Sequence, residues 1–130
     1  PELSNEAHYY RAKAYLDAGK VEGAMDDLKI LAKDTRNIYG AEAKYKVAQI
    51  YFDAGQTEQA EKEVLDYIEV STPHTYWLAR SFVLLSDVYM KLGRNLDAKQ
   101  YLLSLKQNYQ ADDDIAGMIE SRLNKLNAEN

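Results

Sequence analysis

The residues best equipped for chemistry are two histidines, a run of three aspartates and a scatter of serines. His8 and His74 lie 66 residues apart, and neither has a second ligand type three or four positions away. A zinc or iron site built on either would need convergence from distant parts of the chain. His8 reads as a packed side chain, and His74, next to Pro73, as a surface or linker residue. Asp112-Asp113-Asp114 lacks the glycine and alternating oxygen ligands of a calcium loop. An acidic run directly before an apolar-periodic segment reads instead as a helix start, where the macrodipole favours negative charge. The six serines show no nucleophile–base spacing, and no phosphate-cradling glycine loop occurs. Cysteine is absent, which removes thiolate nucleophiles and disulfides. No cofactor and no metal is implied, and catalysis ranks last among the functional readings.

Composition narrows the partners. In 130 residues, 46% are apolar and 28% charged, as expected of one folded domain. Sixteen Lys+Arg against 21 Asp+Glu give a net charge of −5. That balance argues against binding to phosphate backbones or anionic lipid. No apolar run approaches the roughly 18–20 residues of a membrane span, so no direct membrane insertion is expected. The first residue is Pro1 and not Met, which suggests a removed leader or a segment of a longer chain.

The elements that would position any site come from an internal repeat. Tyr15-x3-Gly19-x4-Ala24, Tyr51-x3-Gly55-x4-Ala60 and Tyr89-x3-Gly93-x4-Ala98 share one spacing, with glycines 36 and 38 residues apart. Between these marks the apolar residues follow helical i, i+3/i+4 spacing, as in Val47, Ala48, Tyr51 and then Val64, Leu65, Ile68. Each glycine fits the left-handed position that ends one helix. Thr57 and Asn95 are candidate N-caps for second helices, and Pro73 a candidate first helical residue. The spacing predicts three helical hairpins over about 5–37, 39–73 and 74–110 within a single domain spanning 1–130. A seventh amphipathic helix follows over about 112–127. Its apolar side should cover the open end of the stack, while Glu120, Arg122, Asn124, Lys125 and Asn127 face water.

These marks resemble the tetratricopeptide repeat (TPR) family, whose pattern runs W-x2-L-G-x2-Y, A-x3-F, P. Phe82-x2-Leu85-Ser86-x2-Tyr89 with Ala98-x3-Leu102 matches, as does Lys44-x2-Val47-Ala48-x2-Tyr51 with Ala60-x3-Val64. His8-x2-Arg11-Ala12-x2-Tyr15 departs most, at its first two positions. The resemblance implies an all-α, right-handed superhelix whose first helices line a concave groove. It places Tyr9, Lys13, Tyr45, Gln49, Phe52, Arg80 and Asp87 in that groove, with Tyr9, Tyr45 and Phe52 as aromatic anchors. A competing reading packs these aromatics on neighbouring helices. Positions matching the family's chaperone-tail carboxylate clamp hold Tyr9, Lys13, Lys46, Arg80 and Leu84, without the paired amides, so that activity is not expected. The runs 39–45 and 71–80 also resemble bacterial envelope TPR proteins of the outer-membrane-assembly and Tol–Pal-associated kinds. They imply a periplasmic or envelope location, with the cytoplasm as the alternative.

Charge is unevenly spread along the stack. Segments 1–36, 37–73, 74–111 and 112–130 carry −1, −4, +3 and −3. The basic third segment, with Arg80, Lys91, Arg94, Lys99 and Lys106, suits an acidic partner or its acidic neighbour in the stack. The functional expectation is a scaffold that binds a protein or peptide in the concave groove. The alternative is a structural C-terminal cap of a longer repeat array, with the ligand site elsewhere.

Overall fold

Each predicted hairpin turn is observed. A computed structural model describes residues 3–70 and 72–128, so Pro1 and Ser71 lie outside the described residues. The helices are α1 (Asn5–Asp17), α2 (Val21–Leu31), α3 (Ile38–Asp53), α4 (Thr57–Glu69), α5 (Thr75–Lys91), α6 (Asn95–Asn108) and α7 (Ile115–Ala128). No strand interrupts them among the described residues. The fold is an all-α, TPR-like helical repeat.

Gly19, Gly55 and Gly93 adopt φ of 75°, 79° and 77°, and no other described residue has positive φ. A Cβ would strain that backbone, which explains the glycine spacing. The residue after each glycine donates its N–H to the carbonyl of the repeat tyrosine: Lys20 to Tyr15 at 2.7 Å, Gln56 to Tyr51 at 2.9 Å and Arg94 to Tyr89 at 2.7 Å. This closure is tight enough to move the N-caps. Lys20, Gln56 and Arg94 occupy the cap positions, and none of their side chains caps the helix. Thr57 and Asn95 are therefore first helical residues and not caps. Pro73 likewise stops short of α5, whose N-cap is His74. Thr72 accepts a hydrogen bond from the His74 N–H at 3.1 Å and donates one to the Thr35 carbonyl at 2.7 Å, tying the link to the α2–α3 loop.

The small repeat positions are buried as close packing requires: Ala24, Ala60 and Ala98 are each 0% exposed. A second set of equivalent positions locks each hairpin across residues 19 apart. His8 Nδ1 lies 2.7 Å from Asp27 Oδ1, and Lys44 Nζ donates to Glu63 at 2.7 Å. In the third hairpin the same pair is Phe82 with Tyr101, rings 6.1 Å apart. Gly40, in the first turn of α3, abuts the preceding loop, where a Cβ would fall 1.9 Å from the Asp34 carbonyl oxygen. No left-handed backbone is involved there; the requirement is close approach.

Helix α7 packs on both α5 and α6, as α5 packs on α3 and α4. Ile115, Ile119, Leu123 and Leu126 are buried in the core shared by α3–α7. Asp113 caps its start, accepting from the Ile115 N–H at 2.9 Å.

Candidate interaction groove

Neighbour relations give the sense of curvature. The first helices touch in series, α1 with α3, α3 with α5, and α5 with α7, whereas no two of α2, α4 and α6 meet among the described residues. A stack with one set of helices closer together bends with that set inside. The inner face therefore belongs to α1, α3, α5 and α7.

Two groups of side chains occupy it. At the α1 end, Tyr9 is half-buried, with its ring 4.7 Å from Tyr39 and 5.3 Å from Tyr10. Its hydroxyl donates to Glu42 at 3.0 Å, and Lys46 pairs with the same carboxylate at 2.6 Å. Burial first, and the Glu42 charge second, push the Tyr9 hydroxyl above its ordinary value. Lys13 is exposed, with its ammonium 5.3 Å from the Tyr9 ring. A cation over a π face is attracted by about 0.5–1 kcal/mol at such a site.

At the centre, Tyr45 is only 7% exposed, its ring 5.6 Å from Trp77. It donates to Gln49 Oε1 at 2.9 Å, and Gln49 in turn donates to Asp53 at 2.8 Å. Burial raises the Tyr45 hydroxyl, opposed by the Arg80 charge. The Arg80 guanidinium lies 5.2 Å from the Tyr45 ring and 5.9 Å from Trp77, and donates to the Tyr76 hydroxyl at 3.0 Å. Arg80 is half-buried yet forms no ion pair among the described residues. Asp87 is held by both nitrogens of a fork: Arg122 Nε at 2.7 Å and Nη2 at 2.9 Å. Tyr45, Gln49, Arg80 and Asp87 thus meet around a crevice of about 100 Å³, closed on its far side by Met118 and Arg122.

Phe52 lies apart from this crevice. It is half-buried against the core and, with Met90, floors a larger cavity of about 380 Å³ toward the helix C-termini. The seven residues expected in the groove therefore divide into Tyr9 with Lys13, the central four, and Phe52. The sequence reading missed Trp77, Tyr76 and Arg122. Arg122, expected to face water, instead binds Asp87, because α7 packs on α5 and brings the two side chains together. A basic residue on a capping helix, facing an acidic one at a groove position, was the available signal.

Two features of the wider surface bear on charge. Arg94 pairs with Asp97 at 2.8 Å and reaches Glu61 of the acidic second hairpin at 3.7 Å, while Lys106 pairs with Glu120 of α7 at 2.7 Å. Within α1 and α2, Asp27 is 1% exposed and receives Arg11 through Nε at 2.8 Å and Nη2 at 2.7 Å, besides His8. A carboxylate only accepts, so His8 Nδ1 carries the proton. The Arg11 hydrogen bonds hold the Asp27 carboxyl below its usual range, against burial, with His8 assisting. No group of three or more His, Cys, Asp or Glu among the described residues is arranged to hold a metal ion. No described helix is long and apolar enough to cross a membrane.

The tetratricopeptide repeat family's sequence model matches residues 6–34. That span is the first hairpin, the unit furthest from the family pattern at its opening positions. A search of curated proteins finds no match. The other two hairpins share the glycine geometry of the matched repeat, which extends the likeness along the stack. Tetratricopeptide repeats generally mediate protein–protein interactions, and the family typically supplies non-enzymatic scaffolds.

Proposed function

We propose that this chain is a non-catalytic interaction module that binds a protein or peptide segment along the inner face of α1, α3, α5 and α7. Arg80 carries the reading: a half-buried guanidinium over two aromatic rings, with no carboxylate paired to it among the described residues. Arginine held on aromatic surface is a frequent binding hot spot, because its orientation is fixed before the ligand arrives. Lys13 and the Tyr9 ring extend the surface toward the N-terminal end.

A second reading has its own support. Arg122 already neutralises Asp87, Tyr45 is nearly covered, and α7 seals the apolar end of the stack. These features suit a structural cap of a longer array. The envelope setting rests on the likeness of residues 39–45 and 71–80 alone. The test is affinity capture with the 130-residue chain, repeated with Arg80→Ala and with Lys99→Glu/Lys106→Glu on α6. Arg80→Ala should weaken a true groove partner by about 2 kcal/mol, with helicity unchanged by circular dichroism. A partner lost only with the α6 charges would move the site to the outer face.

A further inference from the structure

The groove has a second compartment. The cavity of about 380 Å³ is lined by Phe52, Asp87, Met90, Lys91, Asn95 and Lys125, drawn from the ends of α3, α5 and α7 and the start of α6. Its volume falls within the range of sites that accept a whole side chain or small ligand. Phe52 and Met90 are half-buried and supply an apolar floor, and methionine adapts to irregular or aromatic guests. Asp87 contributes no net charge because Arg122 neutralises it. Lys91 and Lys125 are exposed at the rim and form no ion pair among the described residues. Each sits in the last turn of its helix, so the helix dipole favours its charge but leaves its ammonium free to bond outward. Asp53, the neighbouring carboxylate on α3, lies outside the lining and is engaged by Gln49. The compartment therefore combines an apolar base with two free positive charges.

We infer that this compartment is a specificity pocket for a bulky apolar side chain flanked by carboxylates, within an acidic protein segment lying in the groove. The inference rests on the groove reading and gives its partner a chemistry. Aromatic burial on Phe52 and Met90 supplies affinity, and the lysines select the flanking charge. Helix α7 contributes Lys125 directly and holds Asp87 through Arg122, so it belongs to the binding surface as well as to the core. A neutral or basic flank would leave both ammoniums unanswered.

The test is titration of the isotopically labelled 130-residue chain, followed by amide NMR shifts, with three blocked synthetic peptides. They are Gly-Glu-Phe-Glu-Gly, its Gln-flanked analogue and its Lys-flanked analogue. Saturable shifts at Phe52, Met90, Lys91, Asn95 and Lys125 with the Glu peptide are expected. Binding should be roughly three- to tenfold weaker with the Gln analogue, and weaker still for the Glu peptide against Lys91→Glu/Lys125→Glu, where like charges face each other. Both lysines are exposed, so the double variant should keep the parent spectrum elsewhere. Equal binding of all three peptides, or no saturable shift at these amides, overturns the pocket. Shifts confined to the Tyr9, Lys13 and Arg80 region also overturn it while sparing the groove reading, whose own failure is scored with Arg80→Ala.

Discussion

Replacing Asp27 by Asn should remove one charge and leave shape almost unchanged, which makes it the sharpest probe of what holds the first hairpin closed. The carboxylate is 1% exposed and receives three hydrogen bonds, at 2.7, 2.8 and 2.7 Å, from His8 and the Arg11 fork. Bonds to charged groups contribute about 1.5–3 kcal/mol each when truncated singly, and breaking a fully buried ion pair costs about 3–5 kcal/mol. Here the loss is smaller, because the Arg11 side chain is 48% exposed and can return to water. Asn also keeps one acceptor for Arg11, and His8 can change tautomer to accept from the new amide. The expected cost is therefore about 2 kcal/mol, or a urea midpoint lower by about 1 M at typical denaturant slopes. Acidity supplies the second arm. Arg11 first, then His8, depress the folded-state Asp27 carboxyl, against burial. Its contribution is fully present above the unfolded-state value near about pH 4 and disappears as pH falls through the lower folded-state value. Urea midpoints measured from pH 6 to pH 2 should fall less steeply for Asp27→Asn than for the parent. An unchanged midpoint at pH 6 together with an identical acid limb would refute the buried-carboxylate account.

Other substitutions test the packing. Gly40→Ala places a Cβ 1.9 Å from the Asp34 carbonyl oxygen and 2.6 Å from that of Leu31, so a loss of about 1–3 kcal/mol or more is expected by thermal or urea unfolding. Gly117→Ala meets nothing within 4 Å on α7 and should stabilise by about 0.5–1 kcal/mol, the opposite sign in the same assay. Truncation after Tyr109 removes Ile115, Ile119, Leu123 and Leu126 from the core. At about 1.5–3 kcal/mol per buried side chain this rivals the whole stability of a small domain, and light scattering should show aggregation.

Some of this was legible in the sequence for direct physical reasons. Positive φ demands glycine, so Gly19, Gly55 and Gly93 fixed the hairpin turns, and close helix approach demands small residues, so Ala24, Ala60 and Ala98 marked the pairs. The N-caps were misread because turns this tight put Lys20, Gln56 and Arg94 where a capping side chain would sit. By residue type nothing sets Asp27 apart from Asp26 and Glu22 on α2; only its place 19 residues after His8, matched by Lys44–Glu63 and Phe82–Tyr101, distinguishes it. At the groove, the burial of Tyr45 depends on Trp77, in the first turn of α5 beyond the longer link. Arg122 meets Asp87 only because α7 packs on α5. Neither relation has a local spacing to betray it.

The 19-residue locks give the molecule an axis. The first two are electrostatic, His8 and Arg11 on Asp27, and Lys44 on Glu63 at 2.7 Å and on Asp66 at 2.5 Å. Burial alone would lower the Lys44 ammonium, yet the two carboxylates outweigh it and hold it above its ordinary value. The third lock, Phe82 on Tyr101, holds no charge, and the apolar face of α7 lies beyond it. Acid that neutralises carboxylates therefore cuts the lock itself in the first two hairpins, whereas in the third it reaches only the contacts around the lock, Arg122–Asp87, Arg94–Asp97 and Lys106–Glu120. In a chain whose units lean only on their neighbours, melting at low pH would start where the locks are ionic and reach last the hairpin whose lock is apolar.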